Sequence, residues 1–106
     1  MKVERHEELG RVVLPEAINL TNAPEFKQAL ESLYEQGTRI IQVDCNCLKM
    51  IDSAGLGSLV LFQKKLKERG GELKLINVTE GYIRHLFDMI DLQRVISIEY
   101  ASKEGA

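Results

Sequence analysis

Met50-Ile51-Asp52-Ser53-Ala54-Gly55-Leu56-Gly57-Ser58 decides how this chain of 106 residues folds. An apolar segment, Arg39 to Val43, leads towards it, and an amphipathic run follows it at once. Strand, glycine-spaced turn and helix in that order place Ser53 at a helix N-terminus. Unpaired backbone N–H groups and the positive end of the macrodipole favour a negative group there. A hydroxyl at such a place has two uses. It caps the helix, or it carries a phosphate that the site tolerates.

Working towards the C-terminus, the helix is predicted from about Ala54 to Glu68. Leu56, Leu59, Val60, Phe62 and Leu66 share one inward arc, and Leu61 points away from it. Gly70-Gly71 ends the helix, and Glu72 to Ile76 reads as the next strand. Thr79 is expected to cap a third helix with Ile83, Leu86, Phe87 and Ile90 inside. Val95 to Ile98 is expected as a last edge strand.

Working towards the N-terminus, Arg39 to Asp44 is continuous enough in apolar residues to predict a strand covered on both faces. Before it, Phe26, Ala29, Leu30, Leu33 and Tyr34 keep helical spacing. Asn22 is the expected N-cap, Glu25 its capping-box partner, Pro24 fits the first turn and Gly37 the stop. Ile18 to Thr21 connects that helix to a hairpin of Val3–Glu8 and Arg11–Leu14 turning around Leu9-Gly10, and Pro15 ends the second strand. Strands alternating with helices predict an α/β domain over residues 1–106. Its sheet is mixed, with an N-terminal hairpin and parallel strands joined by right-handed helical crossovers. Sites in such sheets gather beyond the carboxyl ends of the parallel strands, where Asp52 and Ser53 lie.

Composition narrows the function. Hydrophobic content of 44% and charged content of 28% are those of an ordinary soluble domain. The net charge is −2, and the densest basic stretch, Lys64 to Arg69, is a solvated helix face diluted by Glu68. With no Trp to interleave, nucleic-acid binding is not expected. No apolar run approaches the roughly 20 residues of a membrane span, and the N-terminus lacks a signal-peptide core, so a cytoplasmic protein is expected. Cys45 and Cys47 are too close in sequence for an unstrained disulfide. With two histidines in the chain, they also make no metal set. Both are read as reduced thiols, one of them pointing inward, and no cofactor is expected.

Ser53 is not placed as a catalytic nucleophile. The glycine two residues before it that a hydrolase elbow requires is absent, and neither His6 nor His85 has an evident path to it. Gly55-Leu56-Gly57 matches neither the Walker pattern nor GxGxxG. Its glycines either relieve crowding at the turn or let a partner approach Ser53 closely, and the two readings are compatible. Phosphorylation would add about −1.5 to −2 charges beside Asp52, blocking a partner that docks over Met50 and Leu56 without refolding the chain.

Residues Met50 to Gly57 closely resemble the signature of the STAS domain of bacterial anti-sigma-factor antagonists. The similarity continues through Ile18-Asn19, Gly70-Gly71-Glu72-Leu73 and Arg84 to Met89. It implies that Ser53 is phosphorylated by an anti-sigma factor with serine kinase activity and reset by a phosphoserine phosphatase. It also implies a regulator without catalysis of its own. Asp52, Ala54 and Gly55 would support the phosphosite, with Asp52 orienting the hydroxyl or engaging the kinase's nucleotide–metal centre. Asn19, Thr21, Met50, Ile51, Leu56 and Gly57 would form the partner surface. Asn19 stands where the family usually has an acidic residue. That departure keeps open a STAS module of another partner-switching pathway, or a small subunit on a transport ATPase.

Overall fold

The architecture comes from a computed structural model that describes residues 1–101. Strand β1 (Lys2–His6) pairs antiparallel with β2 (Leu9–Val13). A short β3 (Ala17–Ile18) leads into α1 (Ala23–Glu35), and β4 (Ile40–Asp44) follows. A second short strand, β5 (Met50–Ile51), runs into α2 (Ser53–Glu68). Strand β6 (Glu72–Val78), α3 (Tyr82–Met89), a 3-10 turn at Leu92–Arg94 and β7 (Ser97–Tyr100) complete the order.

The main sheet is ordered β1-β2-β4-β6-β7, with every pair after the hairpin parallel. Each crossover moves one strand along in the same direction, so right-handed connections lay their helices on one face. That face is the core. Val12, Ile41, Val43, Leu73 and Leu75 meet Phe26, Leu30, Leu33, Leu59, Phe62 and Leu66 there, all essentially inaccessible. The expectation that Arg39 to Asp44 is covered on both faces is therefore corrected. Strand β4 alternates, Ile41 and Val43 inward, Ile40 and Gln42 half-buried on the opposite face.

Other local expectations shift for identifiable reasons. The hairpin turns at Glu7-Glu8, where Glu7 adopts φ 56°, and Leu9-Gly10 lies inside β2. Thr79 does not cap the third helix; Gly81 holds the N-cap position at φ 113°. Ile90 falls just past α3 and is exposed, as is Val60 on α2, so neither joins the core. The last strand starts at Ser97 because Leu92–Arg94 winds into a tight turn first, leaving Val95 exposed and Ile96 buried.

One charged group anchors the end of the sheet where the parallel strands finish. Asp44 is buried, and its carboxylate accepts from the Arg11 guanidinium (2.6 Å), the Asn46 N–H (2.9 Å) and the Asn77 side-chain amide (3.2 Å). Burial alone would raise its pKa. The Arg11, Asn46 and Asn77 hydrogen bonds and the Arg11 charge outweigh that and hold it below its ordinary 3.8. A depressed folded pKa stabilises above the unfolded value and is lost as pH falls through the folded one. The expected result is that Asp44→Asn lowers Tm at pH 7, and that the gap from wild type narrows as pH drops below 3.8. Thermal melts across that range check it.

Candidate functional site

Two loops leave the carboxyl ends of β2 and β4 and are stitched together by β3 and β5, a parallel pair with Ala17 opposite Met50 and Ile18 opposite Ile51. The amides of Lys49 and Met50 both donate to the Glu16 carbonyl, and that of Asp52 donates to Ile18. Sequence patterning gives no hint of this pair, because two-residue strands have no period to detect. The first loop is rigidified by its own side chains. Asn19 Oδ1 accepts from the Thr21 N–H (2.9 Å), an Asx turn. Asn22 occupies the N-cap position of α1 but makes no side-chain cap. Its Oδ1 accepts from the Asn19 N–H (2.9 Å) and its Nδ2 donates to the Ala17 carbonyl (2.8 Å), tying the loop back to β3. The expected capping box is likewise absent, and Glu25 lies 3.9 Å from the N-terminal ammonium of Met1.

At the start of α2 the cap is Asp52, whose Oδ1 accepts from the Gly55 N–H at 3.0 Å. Ser53 is the first helical residue and is exposed. The hydroxyl is thus not needed as a cap, which settles one of the two uses open to it. The amides of Ser53 and Ala54 have no acceptor within the helix at this end. An anion on Ser53 would meet the positive end of a sixteen-residue helix.

The two glycines separate cleanly. A Cβ on Gly55 would stand 2.7 Å from Ile18 and 2.7 Å from Ile51, so the α2 backbone lies directly on the β3–β5 pair. A Cβ on Gly57 would meet nothing within 4 Å, and Gly57 is exposed. Gly57 therefore costs the helix about 0.5–1 kcal/mol with no packing reason in return. Crowding explains Gly55 and does not explain Gly57.

Around Ser53 the surface is apolar. Met50 is 56% exposed and Leu61 is 40% exposed, as expected for a residue outside the buried arc. Leu56 is half-buried against the core, and Asn19, Thr21 and Ala54 are exposed. Ile51 is placed differently from expectation. It is 4% exposed and supports the site from beneath, so its side chain offers no contact surface. Leu20 was missed and is 82% exposed, the most uncovered large apolar residue described. Its signal was an aliphatic residue between two loop-formers, Asn19 and Thr21, where no helix or strand period required one. A groove of about 410 Å³ runs beside Ser53 between α1 and α2.

His6 and His85 are both exposed, on β1 and α3 respectively. Among the described residues no group of His, Cys, Asp and Glu is arranged to hold a metal. Cys45 is buried and Cys47 exposed. Burial, with the Asp44 charge beside it, pushes the Cys45 thiol up to about 12.

A model of the STAS domain matches residues 1–105. The chain belongs to the STAS domain family. It is 35% identical over 103 residues to the anti-sigma-B factor antagonist of Bacillus subtilis, 97% of this chain and 93% of that protein. Among solved structures, the anti-sigma factor antagonist SpoIIAA in its unphosphorylated form aligns at TM-score 0.75 and 17% identity, covering 97% of this chain and 90% of that one. The phosphorylated form of the Bacillus SpoIIAA aligns at TM-score 0.73 and 19% identity, covering 97% and 92%. The mixed α/β architecture expected from the sequence is that of the family.

Two outcomes follow for the STAS domain described here. Gly55→Ala forces the Ile18 and Ile51 side chains aside and should destabilise by about 1–3 kcal/mol, read by denaturant unfolding. A thiol reagent on the native protein should modify Cys47 rapidly, with Cys45 reacting only after denaturation.

Proposed function

We propose that this STAS domain is a partner switch: unphosphorylated it binds an anti-sigma factor that is also a serine kinase, and phosphorylation of Ser53 releases that partner. The chain is an anti-sigma-factor antagonist. Its relatives bear that name and are regulatory binding proteins. The observation that carries the reading is the exposure of Ser53 at the first position of α2 while Asp52 does the capping. A hydroxyl so placed is accessible to a kinase, and replacing it leaves the helix cap in place.

The geometry supports occlusion rather than refolding. The site is braced by β3–β5 and by the Gly55 contact, so the charge added to Ser53 meets a platform that does not yield. A partner covering Met50 and Leu20 would have to desolvate a phosphate dianion on that platform. Asp52, with its Oδ1 engaged by Gly55, keeps the helix start in shape for the kinase. The contact surface comprises Asn19, Thr21, Met50, Leu56 and Gly57, extended by Leu20 and supported from below by Ile51. A phosphoserine phosphatase resets the switch, and the cytoplasm is where such a partner system operates.

Intact-mass spectrometry tests this after incubation with ATP, magnesium and each histidine-kinase-like anti-sigma candidate of the source organism. One added phosphate on wild type and none on Ser53→Ala is the expected result, with Ser53→Ala binding permanently and folding within about 0.5 kcal/mol of wild type. Ser53→Asp should weaken binding, less than phosphate does, because one carboxylate carries less charge. Equal binding by wild type, both variants and the phosphorylated protein overturns the switch.

A further inference from the structure

We infer that the groove between α1 and α2 receives one bulky apolar side chain of the partner, flanked on the partner by a carboxylate that pairs with Lys27. This rests on the partner-switch reading and adds the chemistry that selects the partner. The groove, about 410 Å³, is walled by Leu20, Pro24, Ala54, Gly57 and Leu61, and among the described residues Lys27 is the one charged side chain lining it. Two of the walls, Leu20 at 82% and Leu61 at 40%, are far more exposed than residues of their kind in the core below. Lys27 has no ion-pair partner among the described residues, so a carboxylate arriving at the rim meets an unneutralised cation.

Gly57 points to an occupant. The helix keeps a residue that weakens it at a place where an added Cβ would meet nothing within 4 Å. What a side chain at 57 would do is enter the groove, which Gly57 lines together with Ala54 on the same helix. Ala54 is the neighbour of Ser53, so an anchor seated here holds the partner over the phosphosite. An apolar anchor in a pocket with a charged rim is the arrangement that concentrates binding energy in few residues.

The test uses isothermal titration of the full-length protein against the histidine-kinase-like anti-sigma candidates, with thermal melts and sedimentation of each variant. Gly57→Leu fills the groove and should weaken binding about 30-fold or more, with a Tm no lower than wild type. Lys27→Glu should weaken binding about 10-fold and flatten its salt dependence. Wild type and Gly57→Leu binding one candidate equally overturns the groove assignment while leaving the partner switch standing. Self-association of wild type that Gly57→Leu abolishes makes a second copy the occupant, and likewise overturns it. Wild type binding no candidate overturns the partner switch and this inference with it.

Discussion

The end of the sheet that carries Ser53 is organised around one close approach, the bare backbone of α2 at Gly55 resting on Ile18 and Ile51. Those two side chains belong to the β3–β5 pair, which joins a loop following β2 to a loop following β4. Without the contact, α2 would stand off from the pair by the width of a side chain. Ser53, Met50 and Leu20 would then no longer share a surface. The glycine is thus a distance constraint, set by sterics, on which a surface of separate loops is assembled. Asp52 complements it from the other direction, fixing where the helix begins.

The same end of the sheet is stiffened by Asp44. Its carboxylate collects donors from β2, from the turn after β4 and from the end of β6, binding three segments at the point where they would otherwise diverge. A fully apolar residue there would leave the Asn46 N–H and the Asn77 amide without this acceptor. Arg11 is half-exposed on the uncovered face of the sheet, and its reach to Asp44 joins that face to the site. Polar interactions at Asp44 and the apolar contact of Gly55 with Ile18 and Ile51 therefore set the geometry of the loops together.

Long periodic segments made the layers legible in the sequence. Phe26, Leu30 and Leu33 announced α1, and Leu59, Phe62 and Leu66 announced α2, because burial imposes a 3.6-residue repeat that composition alone does not produce. The Ser53 loop was legible because glycines beside an acidic residue and a hydroxyl are distinctive. Hydrogen bonds between particular residues were not. Asn22 reads as an N-cap from type and position, yet its amide is taken by Asn19 and Ala17. Ile51 reads as exposed motif but is core, since a two-residue strand gives no alternation from which to assign a face. The pattern of β4 misled in the opposite sense: Ile40 is apolar, half-covered, and lies on the face that helices do not reach.

The β3–β5 pair also bears on how the site comes into being. It joins residues as distant in sequence as Ala17 and Met50, with a helix and a central strand threaded between them. Closing so long a loop for two residues of pairing is entropically unfavourable unless the intervening elements have already docked. The pairing is therefore favourable only once α1 and β4, which lie between its two strands in sequence, are in place.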